Sequence, residues 1–355
     1  MIPTIAITLG DPAGIGAEVV VKALARPALL RTLRPLVIGD ADILRETAAR
    51  LRLSSRLVTV GEARAAPAPA IAVLADGGLS ARARRPGRPT IEGGRASYRY
   101  IETATRLALG GAVGGIVTAP INKAWVSRAG FPISGHTELL QRLTGAREVR
   151  MMLAGRRLRV VLVTMHLALG AVPRALTIRD VTRTILVAGE HLCRYHGLAA
   201  ARLAVAALNP HAGEGGLFGD EERMILAPAV KRACQAGASA SGPYPADSAF
   251  FRAAAGEFDA VIAMYHDQGL IPLKLLHFYD AVNVTLGLPI IRTSPDHGTA
   301  YDIAGRGVAN EGSMAAALAL AARMARTRSA LGRPERTAAG GAAGAERAAR
   351  RRQAR

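Results

Sequence analysis

The sequence of 355 residues predicts an α/β protein of two domains, and three observations carry that reading. Its length exceeds the size at which a single hydrophobic core is usual. Short apolar runs alternate with helical patterns from the first residues onward, as in parallel sheets covered by helices. Three of those runs end in a histidine: Leu158 to His166, Leu203 to His211, and Asp259 to His266.

Taken in order, Thr4 to Leu9 reads as a strand, Gly10 to Gly16 as a turn and Glu18 to Leu24 as a helix. Pro35 to Gly39 and Leu57 to Val60 are further strands. Ala65 to Pro89, rich in Ala, Arg, Gly and Pro, is the most loop-like stretch. Gly115 to Pro120 is a buried strand followed by the polar pair Asn122 and Lys123. Gly312 to Met324 forms an apolar helix, and beyond it lies a tail of Ala, Gly and Arg without an apolar face, which reads as disordered. No internal repeat or heptad pattern is present.

The histidine-terminated runs are Val-, Ile-, Leu- and Ala-rich and bounded by polar residues, the pattern of strands buried on both faces. Ligands of open α/β sheets bind at the carboxyl ends of the strands, so His166, His211 and His266 could meet at one point. Three neutral imidazoles leave a metal with open coordination positions. Taken singly, each histidine also suits a packing or capping role.

Composition narrows the alternatives. Gly, Pro or charge interrupts every apolar run before it could span a bilayer, and the first ten residues lack a basic leader, so a cytoplasmic protein is expected. Cys193 and Cys234 make no disulfide framework. The net charge of +19 is inflated by the tail, where residues 326–355 hold nine arginines and two glutamates. The remaining charge is spread thinly without interleaved aromatics, which argues against a nucleic-acid module. Only Lys22, Lys123, Lys231 and Lys274 are lysines among 46 basic residues.

Several motifs could carry chemistry. Gly10-Asp11-Pro12-Ala13-Gly14-Ile15-Gly16 opens a helix where a phosphate could sit, although its glycines also suit a simple tight turn; it is neither a dinucleotide fingerprint nor a P-loop. Thr137, in Ser134-Gly135-His136-Thr137-Glu138, suits a helix N-cap or a substrate contact. Asn209 to Gly216 is glycine-rich enough to let backbone approach a ligand. Lys274, Asn283 and Arg292 supply two cations and an amide for a phosphate or carboxylate. Asp247 and Asp267 are candidate proton acceptors or partners of the metal-binding histidines, with surface or capping roles as the alternative.

These motifs together resemble the 4-hydroxythreonine-4-phosphate dehydrogenase family of pyridoxal 5'-phosphate biosynthesis, over nearly all the chain to about Arg326. The matching stretches are Gly10 to Gly16, Gly135 to Glu138, Leu208 to Glu214, Met264 to Gly269 and Val282 to Pro289. The resemblance implies the isocitrate/isopropylmalate dehydrogenase-like fold: residues 1–133 with 286–326 in one α/β domain, 134–285 in the other, and 327–355 as the basic tail. It places the active site in the cleft between domains at a homodimer interface, with one metal ligand from the partner chain. Ala17, Ser248 and Pro295 depart from the family pattern, and Pro295 adjoins the expected cofactor loop.

By the same resemblance, His166, His211 and His266 bind a divalent metal such as zinc, cobalt, magnesium or manganese. His136, Thr137, Lys274, Asn283 and Arg292 contact the phosphorylated substrate. Within a loop spanning 296–310, Gly298, Thr299, Ala300, Asp302 and Asn310 hold NAD or NADP. Asp247 and Asp267 are the catalytic candidates. The implied reaction oxidises 4-phosphooxy-L-threonine to 2-amino-3-oxo-4-phosphooxybutanoate, which loses CO2 to give 3-amino-2-oxopropyl phosphate. The alternative substrates are 4-phospho-threonate and 4-phospho-erythronate, and a metal-dependent lyase or phosphatase would use the same histidines.

Overall fold

A computed structural model of the protein describes residues 2–54, 56–63 and 70–332. Twelve strands form one sheet: β1 (Thr4–Thr8), β2 (Arg34–Gly39), β3 (Leu57–Val60), β4 (Ile71–Ala75), β5 (Gly115–Thr118), β6 (Arg150–Ala154), β7 (Arg159–Leu162), β8 (Leu203–Ala206), β9 (Ala240–Tyr244), β10 (Ala260–Ala263), β11 (Val282–Leu286) and β12 (Arg292–Pro295). Their spatial order is β3-β4-β2-β1-β5-β12-β11-β6-β7-β10-β8-β9. Pairing is parallel from β3 to β12 and again from β7 to β9, while β11 and β6 in the middle run antiparallel to their neighbours. The sheet therefore has two parallel wings joined by an antiparallel hinge of strands, which is the mixed α/β architecture that the alternating pattern predicts.

Strand composition follows from burial on both faces. In β7, Val161 joins the main core while Val160 and Leu162 join a second core beneath the helices Ala246–Ala254 and His266–His277. Neighbouring β6, β8 and β10 divide in the same way, Met152, Val205 and Ile262 facing one side, Leu153, Ala204 and Val261 the other. A strand that must satisfy two cores cannot alternate polar with apolar, which explains the continuous runs.

Two expectations need correction. The stretch from Ala65 to Pro89 is not all loop: Ile71–Ala75 is β4, paired on both sides between β3 and β2, whereas residues 65–69 lie outside the described residues. Its short Ile-Ala-Val-Leu run is masked in sequence by the surrounding Pro, Gly and Arg. The C-terminal helix runs from Gly312 to Ala330, past the expected end at Met324 and into the first residues assigned to the tail. Its alanines, packed against β12 and the helix Ile178–His196, let three elements approach closely, and Arg328 Nη2 donates to the Gly114 carbonyl at 2.8 Å. Residues 333–355 lie outside the described residues. No helix among the described residues is long and apolar enough to cross a membrane.

Candidate active site

A cavity of about 620 Å³ opens where the two wings meet. Its walls come from the carboxyl-terminal sides of β5, β7, β10 and β12, from β6 and β11, and from the start of the helix His136–Thr144.

One end is built around Arg292. This side chain is 3 % exposed, and its guanidinium donates to Thr118 Oγ1 at 2.9 Å, Thr285 Oγ1 at 2.9 Å and Asn283 Oδ1 at 3.3 Å. No carboxylate among the described residues pairs with it, and burial pushes its pKa down to about 9, leaving it a cation at neutral pH. An unpaired buried cation is costly unless something anionic complements it. Beside it, burial and then the charges of Arg292 and Lys123 hold His136 well below the ordinary imidazole range. His136 is thus neutral, and its Nε2 is buried without a hydrogen-bond partner.

Thr137 also lines the cavity but is not the N-cap: Gly135 holds that position, and no side chain caps the helix. Glu138 reaches back to the Ser134 N–H at 2.7 Å and to its hydroxyl. Asn283 projects from β11 into the cavity, donating to Met151 Sδ at 3.1 Å. Lys274 does not line the cavity; its ammonium pairs with Asp296, a lining residue, at 3.0 Å.

The other end holds His166 and His266, with ring centroids 5.8 Å apart. They are brought together because pairing of β7 with β10 continues past the strands: Val163 N–H donates to Ala263 and Thr164 Oγ1 to the Met264 carbonyl at 2.7 Å. Gln268 then binds the Met264 N–H and the Ala207 carbonyl, tying the ends of β10 and β8. His166 is lowered from the ordinary imidazole value by burial first, then by Lys123 and His266. Asp267 sits 2.7 Å from His266 Nδ1, the contact that fixes a ring and leaves Nε2 free as a ligand.

His211 is elsewhere. It lies exposed in the loop Pro210–Gly216, next to Phe218, and does not line the cavity. No three His, Cys, Asp or Glu side chains among the described residues converge as a metal site. Within one chain, then, only two of the three expected histidines come together: β8 adjoins β10, but the residues after it turn left-handed at His211 (φ 52°), Ala212 (φ 55°) and Glu214 (φ 43°), and His211 lies apart from the other two. Buried Glu222 anchors this loop by accepting from the N–H groups of Leu208 and Asn209, both at 2.8 Å. Asp247 is outside the cavity as well, its carboxylate accepting from the Ser248 N–H at 2.8 Å.

Of the expected cofactor residues, only Gly298 lines the cavity. Thr299 and Ala300 (φ 41°) continue the loop, Asp302 is exposed, and Asn310 Oδ1 accepts from the Gly312 N–H at 2.8 Å at the start of the last helix. The Gly10-to-Gly16 segment supports this loop. A Cβ at Gly10 would lie 2.3 Å from the Pro120 carbonyl oxygen and one at Gly14 2.9 Å from that of Thr299, so backbone packing accounts for both glycines. Tyr301 donates to Asp11 at 2.7 Å. Glu18 accepts from the N–H groups of Gly307 and Ala309, and Lys22 donates to both their carbonyls.

His297 and Lys123 are among the lining residues to which the sequence reading gave no role. His297 has a buried Nε2 without a partner, and Lys123 faces the cavity from the start of the helix Lys123–Arg128. The scarcity of lysine and the position after a buried strand were the only sequence signals for Lys123.

Comparison with known proteins gives this arrangement a family. The chain is 49 % identical over 327 residues to a 4-hydroxythreonine-4-phosphate dehydrogenase of Desulfosudis oleivorans, covering 90 % of this chain and 95 % of that protein. It is 46 % identical over 330 residues to a D-threonate 4-phosphate dehydrogenase of Salmonella typhimurium, covering 91 % and 99 %. A crystal structure of the 4-hydroxythreonine-4-phosphate dehydrogenase of Klebsiella pneumoniae superposes with a TM-score of 0.83 at 44 % identity, covering 91 % of this chain and 99 % of that one. Residues 31–321 match the model of the family described as Pyridoxal phosphate biosynthetic protein PdxA, and with these relatives the match shows that the chain belongs to that family.

Proposed function

We propose that the protein is a dehydrogenase of a phosphorylated hydroxy acid, oxidising the C3 hydroxyl of 4-phosphooxy-L-threonine with NAD or NADP. The observation that carries this reading is the buried, unpaired Arg292 beside neutral His136 in the cavity wall. A phosphate suits that wall, since Arg292 supplies charge, while His136, Thr137 and Asn283 offer neutral groups around it. Lys274 would join them by releasing Asp296.

The donor set at the other end fits a divalent transition metal. His166 is neutral-biased, and Asp267 orients His266. Two imidazoles in one chain leave the third to a second copy, so we assign His211, on its strained and anchored loop, to the site of the other subunit in a homodimer. A cation held there would acidify the substrate hydroxyl, and a bound nicotinamide would accept the C3 hydride. The chain's own share is to fix the phosphate at Arg292, align C3 with the imidazole pair, and hold the 298–310 loop against Gly10 to Gly16. Asp267, which pairs with His266 at the edge of the site and does not itself line the cavity, is the candidate proton acceptor. The 3-oxo product carries a carboxylate β to its ketone, so it loses CO2 to give 3-amino-2-oxopropyl phosphate.

A second reading, oxidation of 4-phospho-D-threonate, is favoured by the relative of that name at 46 % identity. Following reduced-nicotinamide absorbance with 4-phosphooxy-L-threonine, 4-phospho-D-threonate and 4-phospho-erythronate separates the readings: the first substrate should give the highest kcat/KM. No nicotinamide reduction with any of the three would overturn the dehydrogenase assignment. His166→Ala and His266→Ala should each cut turnover at least about a hundredfold and lower metal content while the fold is retained; full activity in either, or in chelator-stripped enzyme, would remove the metal from the reading.

A further inference from the structure

We propose that Lys123 is a phosphate-binding residue of this site, the second fixed cation alongside Arg292. This deepens the phosphorylated-substrate reading and rests on it.

The side chain is placed for that contact. A Cβ built on Gly135 would lie 3.5 Å from Lys123 Cε and 3.8 Å from its Nζ, so the ammonium rests beside the turn that presents His136 and Thr137. Both of those residues and Arg292 line the same cavity as Lys123. The lysine has no hydrogen bond or ion pair among the described residues, and it is an exposed residue that lines the cavity. Burial first, and then the charges of Arg292 and Lys123, hold His136 neutral, so both cations act on the same side chain of the cavity wall.

The position is also unfavourable for a lysine in the absence of an anion. Lys123 is the first residue of its helix, where the backbone dipole presents partial positive charge, and Asn122 already caps the Ala124 N–H at 3.0 Å. A cation there stabilises neither the helix nor a surface pair. Lys274, the other lysine expected at the phosphate, is engaged with Asp296 at 3.0 Å, so Lys123 is the unengaged ammonium on the cavity wall. A dianionic phosphate flanked by Arg292 and Lys123 has its charge matched by two cations, and a compact ammonium suits a point contact where Arg292 already provides the planar fork.

The test measures binding without turnover. Inorganic phosphate is titrated calorimetrically into the full-length dimer, wild type and Lys123→Ala, Lys123→Gln and Lys123→Arg. Loss of a charge-assisted contact typically weakens binding about tenfold or more, so Ala and Gln should raise the phosphate Kd by at least that factor and Arg should restore part of it. In turnover, Ala should raise KM for the phosphorylated substrate more than it lowers kcat, and should shrink the preference over unphosphorylated 4-hydroxy-L-threonine. Unchanged phosphate affinity in both Ala and Gln variants overturns the proposal, including the case where turnover is lost, because the lysine would then serve the reacting carbons. Failure of wild-type enzyme to reduce nicotinamide with any phosphorylated hydroxy acid would defeat the dehydrogenase reading while leaving the phosphate titration interpretable.

Discussion

Arg292 does two things that a substitution separates. It is the buried cation of the proposed phosphate site, and its guanidinium holds the hydroxyls of Thr118 and Thr285 and the Asn283 amide in place. Arg292→Ala should lower kcat/KM at least about tenfold and erode discrimination between phosphorylated and unphosphorylated substrate. Arg292→Lys keeps a charge but not the fork, so it should recover affinity only in part; retention of the full wild-type preference in both variants would falsify the pocket assignment. That Arg292, His136, Thr137 and Asn283 share one cavity wall was legible in the sequence through the family resemblance, which names all four. Lys123 was not, since its role depends on β5 ending beside residues 134–138. The Lys274 pairing with Asp296 was equally hidden, because it joins a helix to the residue after β12.

Among elements, the loop that follows β12 is held by the first helix rather than by its own sequence. Glu18 is 4 % exposed and grips the N–H groups of Gly307 and Ala309, while Lys22, paired with Glu18 at 2.9 Å, grips their carbonyls. Glu18→Gln keeps the shape but weakens a charge-assisted clamp, leaving Lys22 without its carboxylate. If the 298–310 loop holds the nicotinamide cofactor, KM for that cofactor should rise about three- to tenfold with kcat nearly unchanged. An equal fall in kcat at unchanged cofactor KM would show that the loop serves chemistry instead. This level was partly legible. Strands β1, β2, β3 and β5 emerge within a residue or two of their expected limits; in β1, β2 and β5 two-faced burial writes a continuous apolar run, while the edge strand β3 is marked by its Leu and Val residues alone. The left-handed turns after β8 were not legible, since His211, Ala212 and Glu214 are residues that ordinarily avoid positive φ, and nothing in their identity announces it.

At the scale of the whole molecule, the C-terminal helix and a pair of buried histidines each bear on stability. Truncation after Gly332 should leave thermal stability and kinetics near those of the full chain, whereas truncation after Arg326 removes the last turn of the C-terminal helix and the Arg328 contact with Gly114, and should lower the thermal midpoint by several degrees. Acid should act through a separate cluster on the helix Ile178–His196. There His191 and His196 are both pushed down to about 3, chiefly by burial, with neighbouring cations adding to it. Their Nε2 atoms are buried without partners, so neither ring gains a contact on protonation. In the unfolded chain both titrate near 6.5, so between that pH and about 3 the unfolded state binds more protons than the folded one. Stability from this pair is therefore fully present above about pH 6.5 and falls as pH drops towards 3. The thermal midpoint should decline between pH 7 and pH 5, measured with chelator throughout so that metal release does not imitate the effect. His191→Leu removes one of the two titrations and an unpartnered buried nitrogen, so this variant should match or exceed the wild type at pH 5 and show a shallower decline. An unchanged slope in His191→Leu would place the acid sensitivity elsewhere in the molecule.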